Sequence, residues 1–134
     1  AAYVPDNSRS QIIHQGTNTI VLDAYNANPS SMEAALRNFE KMQSDSKIIC
    51  IGDMAELGEE SAAEHKRIID QLKKMDYKLL ILVGKNFGAY ANEIKSIHFE
   101  NSNLAADFFK KNLPENSLVL IKGSRSSKME LIIN

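Results

Sequence analysis

Four short apolar runs punctuate the chain, at residues 19–22, 48–51, 79–83 and 118–121. Each is close to continuous instead of alternating, the pattern of strands covered on both faces in a parallel sheet. Between the runs, apolar positions fall at helical spacing. Met32, Ala35, Leu36, Phe39 and Met42 share one face of a first helix, capped by Asn28 and entered at Pro29. Ser61-Ala62-Ala63-Glu64 reads as a capping box opening a second helix, with Ile68, Ile69, Leu72 and Met75 on one stripe. A third helix is expected after Phe87, a fourth from near Ser102 and a short last one after Ser127. A further strand over 11–14 would turn through Gln15-Gly16 into the first apolar run. Strand alternating with helix predicts an α/β, Rossmann-like fold: a mostly parallel sheet with helices on both faces. Residues 11–134 show no repeat or internal linker and read as one domain, with 1–10 as an interdomain linker.

The polar clusters fall where such a fold binds ligands. Asp23-Ala24-Tyr25-Asn26-Ala27-Asn28 follows the first run, and Gly52-Asp53-Met54-Ala55-Glu56-Leu57-Gly58 the second. Gly84-Lys85-Asn86 follows the third, and Lys122-Gly123-Ser124-Arg125 the fourth. All four leave the carboxyl ends of predicted parallel strands and so converge on one edge, where open α/β sheets hold their ligands. One such loop would mean little, because Asp and Asn there often only cap helices. Four loops carrying Asp, Asn, Glu, Lys and Arg together indicate a binding site.

Composition narrows the ligand. Sixteen basic against seventeen acidic residues leave a net charge of −1, too little for a nucleic-acid or membrane field. The lone Cys50 lies inside an apolar run and reads as a buried, inert thiol. No apolar stretch approaches the ~20 residues of a membrane span, and no signal peptide is visible, so the cytoplasm is the expected compartment. The chain opens Ala-Ala-Tyr-Val-Pro without methionine, as would a piece of something longer or a processed or tagged natural terminus. His14, His65 and His98 lack paired metal-ligand spacing, and no metal site is expected. Ser124 and Ser126 have no evident histidine partner, so no residue is singled out as catalytic. There is neither a G-x-x-x-x-G-K-[ST] phosphate loop nor a G-x-G-x-x-G fingerprint. Any nucleotide bound here would meet only part of its cradle.

The stretch Asp23-Ala24-Tyr25-Asn26-Ala27-Asn28-Pro29-Ser30-Ser31-Met32 resembles the opening of the C-terminal domain of the Mur ligase family, in its D-alanyl-D-alanine-adding branch. Three further stretches agree in order and spacing. They are Tyr3-x-Pro5 with Arg9-Ser10-Gln11, Gly52-Asp53-Met54-Ala55-Glu56-Leu57-Gly58 with Ser61 and Glu64-His65, and Lys122-Gly123-Ser124-Arg125. Where the family reads Asn-Arg-Ser-Gln, this chain has Ser8 before Arg9.

The resemblance implies a three-domain enzyme whose N-terminal and central domains lie elsewhere in the same chain, the central one carrying the phosphate loop. It implies ATP and Mg²⁺, an acyl phosphate on UDP-MurNAc-tripeptide, and attack by the amine of D-alanyl-D-alanine. Arg9, Asp23, Tyr25, Asn26 and Asn28 would then face the nucleotide, with Asp23 accepting from ribose hydroxyls. Asp53, Glu56, Lys122, Ser124 and Arg125 would face the dipeptide, with Lys122 or Arg125 on its carboxylate. The alternatives are another Mur ligase, a folylpolyglutamate synthase, or a non-catalytic α/β binding module.

Overall fold

In the computed structural model, residues 10–133 are described. Arg9 and all but the last residue of the expected linker lie outside them. Six strands form one sheet: β1 (Gln11–Gln15), β2 (Asn18–Asp23), β3 (Lys47–Gly52), β4 (Leu79–Val83), β5 (Ile97–Phe99) and β6 (Leu118–Lys122). Their order is β1-β2-β6-β3-β4-β5, all neighbours parallel except β1 and β2, which form an antiparallel hairpin at one edge. The helices are α1 (Pro29–Lys41), α2 (Ser61–Leu72), α3 (Lys85–Gly88) and α4 (Ser102–Lys111). The Rossmann-like reading stands.

Side chains alternate across a strand, so each continuous apolar run feeds two cores at once. Ile49 and Ile51 of β3 and Leu80 and Leu82 of β4 pack with Leu36 and Phe39 of α1 and Ile68 and Leu72 of α2. Ile48, Cys50, Ile81 and Val83 take the other face, against Ala105 and Phe109 of α4 and Met129 and Ile132 of the C-terminal turn. Burial pushes the Cys50 thiol up to about 12, so it stays protonated and unreactive. α1 begins as expected. The Asn28 side chain accepts from Ser31 N–H at 2.9 Å, and Ser31 Oγ accepts in return from Asn28 N–H at 3.0 Å. Such a cap contributes about 1 kcal/mol.

Three elements depart from expectation. The Ser61–Glu64 capping box does not form. A 3₁₀ turn over Gly58–Glu60 runs directly into α2, leaving Glu60 at the cap and Ser61 already helical. The helix expected after Phe87 is a single turn that starts earlier, at Lys85, followed by a 3₁₀ turn over Ala91–Glu93. Its start is set from outside, because the Asp53 carboxylate caps it. Strand β5 has no counterpart in the apolar pattern. Three residues with a histidine at the centre make no apolar run, and pairing with β4 alone makes them a strand.

Candidate functional site at the carboxyl edge of the sheet

The four loops converge as expected. They shape two open cavities at the carboxyl ends of β2, β3, β4 and β6. One, about 930 Å³, is lined by Tyr25, Asn26, Asn28 and Arg125. The other, about 690 Å³, is lined by Asp53, Lys85, Asn86, Glu100 and Asn101–Asn103. Ala55, Glu56, Leu57, Ser124, Ser126 and Lys128 line both and form their common wall.

A buried ion pair joins the carboxyl ends of β2 and β6. Asp23 and Lys122 are register partners, the last rung of the β2–β6 ladder. Lys122 is 1% exposed; its ammonium donates to Asp23 Oδ2 at 2.6 Å and to the Asn26 carbonyl at 3.0 Å. Ser10 Oγ donates to the same carboxylate oxygen at 3.3 Å. Asp23 Oδ1 is buried and accepts no hydrogen bond from the described residues. This geometry corrects the expectation for Lys122. Its charge is committed inside the fold and is not presented to a dipeptide carboxylate.

Asp53 is also spent on the fold. Oδ2 accepts from Asn86 N–H at 2.9 Å and Oδ1 from Phe87 N–H at 3.0 Å, capping α3. Its carbonyl accepts from Ser124 N–H and from Ser127 Oγ. The residue is a joint between three loops, and it also lines the smaller cavity. Gly84 is essential to this joint. It sits at φ +108°, and a Cβ there would lie 2.4 Å from Asp53 Cγ. At the neighbouring strand ends, a Cβ on Gly52 would lie 2.7 Å from Met129 Sδ, and one on Gly123 2.5 Å from Met129 Cγ.

Tyr25 and Arg125 come together across the larger cavity, the guanidinium carbon 4.2 Å from the ring centroid. That is cation–π geometry. Arg125 therefore lines the larger cavity with Tyr25, Asn26 and Asn28, the residues expected to face the nucleotide, and not the smaller cavity that holds Asp53. Asn28 lines the same cavity, while its side-chain oxygen serves α1. Ser124 is buried, its hydroxyl 3.0 Å from Ser126 Oγ and 3.1 Å from Ser127 Oγ. Glu56 is exposed on the common wall with a left-handed backbone, φ 62°.

The sequence profile of the Mur ligase glutamate ligase domain matches residues 8–125. The chain belongs to the Mur ligase family. It is 30% identical over its whole length to the UDP-N-acetylmuramoyl-tripeptide--D-alanyl-D-alanine ligase of Rickettsia prowazekii, covering 32% of that protein. The Escherichia coli ligase of the same name is 33% identical across 90% of this chain, which covers 27% of it. A crystal structure of MurF from Acinetobacter baumannii superposes with a TM-score of 0.82 at 26% identity, over 98% of this chain and 30% of that one. The chain thus spans between a quarter and a third of the length of these relatives.

Two features of this Mur ligase domain are not visible in the sequence. Lys128 lines both cavities from a left-handed position, φ 52°, past the loop that strand-end logic points to. His65, for which the sequence shows no metal-ligand partner, is fully buried and pins the loop after β3. Its Nε2 accepts from Met54 N–H at 3.0 Å, and its Nδ1–H donates to the Ser61 carbonyl at 2.8 Å. That pairing requires the neutral ring with the proton on Nδ1. The ring also meets Phe87 edge-on, centroids 4.6 Å apart. His65→Phe keeps the bulk but leaves a buried N–H unpaired, so a loss of about 1–3 kcal/mol is expected in urea unfolding. An unchanged midpoint would show that the loop is held by other contacts.

Among the described residues, no group of three or more His, Cys, Asp or Glu could hold a metal ion, and no helix is long and apolar enough to cross a membrane.

Proposed function

We propose that this chain is the C-terminal domain of a cytoplasmic, ATP-dependent ligase that joins D-alanyl-D-alanine to UDP-MurNAc-tripeptide, working with N-terminal and central domains of the same polypeptide. The names of the relatives support the reaction, and their greater length supports the missing domains. The observation that carries a nucleotide role is Asp23: a nine-tenths buried carboxylate with one oxygen still without a donor. A carboxylate only accepts, so a ribose hydroxyl completes it. Tyr25, Asn26 and Asn28, which follow Asp23 in the chain, line the larger cavity, and Arg125, held on Tyr25, supplies the forked cation suited to ribose or phosphate oxygens. Arg9 at the domain entrance is assigned to the same ligand. Among the described residues, no cluster of ligating side chains suits Mg²⁺.

The smaller cavity then takes the dipeptide. Lys128 on its wall offers a cation for the terminal carboxylate, Glu56 an anion for the amine, and Ser124 and Ser126 hydroxyls between them. The domain acts by holding that amine near the activated tripeptide carboxyl and by keeping water away from a hydrolysable intermediate.

Kinetics of the full-length ligase test this division. Loss of one charged contact costs about 1.5–3 kcal/mol, about tenfold or more in affinity. Arg125→Ala should raise the KM for ATP tenfold and leave that for the dipeptide within twofold, and Lys128→Ala should do the reverse. An Arg125→Ala enzyme with only the dipeptide KM altered would refute the assignment of the two cavities.

A further inference from the structure

We propose that Lys122 is a positioning residue: an internal tie that aims the free oxygen of Asp23 and sets the Tyr25–Asn28 loop. This rests on the reading of Asp23 as the ribose acceptor. The ion pair is asymmetric. Among the described residues, both donors that reach the Asp23 carboxylate, Lys122 Nζ and Ser10 Oγ, fall on Oδ2, and none falls on Oδ1. A carboxylate on a flexible side chain would ordinarily share its donors between both oxygens. Here the ammonium at 2.6 Å locks one oxygen, so the other keeps a fixed direction with its lone pairs intact.

The β2–β6 register makes the lock possible. Paired residues of parallel neighbours share a face, so Lys122 emerges alongside Asp23 on the side where the chain turns towards α1. Its second hydrogen bond goes to the Asn26 carbonyl in that turn, fixing the loop that carries Tyr25 and Asn28. A buried ion pair confers no stability that two apolar side chains of equal volume would lack. What it supplies is direction. Lys122 also leads straight into Gly123-Ser124-Arg125, so one residue couples the nucleotide loop to the wall between the cavities.

The test uses the full-length ligase with four proteins: wild type, Asp23→Asn, Lys122→Met, and the double variant. The Asp23→Asn side chain retains an oxygen for Lys122 and presents an amide group in place of Oδ1. Asp23→Asn and Lys122→Met should each raise the KM for ATP at least tenfold while the dipeptide KM stays within twofold. The double variant should show the ATP KM of Asp23→Asn alone, because both changes remove one interaction. Urea midpoints accompany every variant. If Lys122→Met does not fold, the double variant, which buries no unpaired charge, gives the same comparison against Asp23→Asn. A normal ATP KM in Lys122→Met alongside a raised one in Asp23→Asn overturns the positioning role and spares the nucleotide reading. A normal ATP KM in Asp23→Asn overturns both. A dipeptide KM that rises on loss of Lys122, in either background, returns this residue to the dipeptide and also overturns the proposal.

Discussion

Asp23→Ala should be among the most damaging single changes to the fold, even though Asp23 lies at the very end of β2. Removing the carboxylate leaves the Lys122 ammonium, 1% exposed, with the Asn26 carbonyl as its one partner among the described residues. Breaking a buried pair from one side typically costs about 3–5 kcal/mol, against a total domain stability of about 5–15 kcal/mol. The urea midpoint of the chain should fall accordingly. Adding Lys122→Met to Asp23→Leu should restore most of the loss, since a matched apolar pair needs no desolvated charge. A loss below about 1 kcal/mol for Asp23→Ala would mean that the pair is screened by water and stabilises like a surface contact.

Gly84→Ala is expected to act just as strongly by a different route. At φ +108° and ψ 162° the backbone occupies a region essentially reserved for glycine, costing any other residue about 1–3 kcal/mol. The added Cβ would also sit 2.4 Å from Asp53 Cγ, forcing the carboxylate off the two N–H groups that start α3. Lost charge-assisted bonds add roughly 1.5–3 kcal/mol. Gly58→Ala is the control. Its φ is +56°, but a Cβ there meets nothing within 4 Å, so only the left-handed cost of about 1–2 kcal/mol applies. Equal unfolding midpoints for the two variants would show that contact with Asp53 contributes nothing.

Much of this was legible in the chain. Continuous apolar runs gave away strands covered on both faces, and the polar stretches after them marked the edge where the cavities lie. The Asn28–Pro29 signal located the start of α1 because capping is decided by neighbours in sequence. Tertiary partners were not legible. Lys122 and Asp23 are 99 positions apart, and only the β2–β6 register reveals that they neutralise each other. The same holds for Asp53, which caps α3 from 33 residues away. The start of α2 misled for a local reason. Gly58, left-handed at φ +56°, begins a turn before Ser61, so the serine arrives inside the helix and not at its cap.

The slot between Gly52 and Gly123 exposes the wall to one chemical lesion. Met129 fills that slot and is fully buried, its sulfur against Gly52 and its Cγ against Gly123, so neither glycine could carry even a methyl group. A sulfoxide oxygen therefore has no place to go. Conversion of Met129 would lever the C-terminal turn away from the strand ends, and Ser124, Ser126 and Lys128 with it. Oxidant reaches the sulfur only when that turn opens, so the rate of Met129 oxidation in dilute peroxide reads out how often the wall of both cavities comes apart.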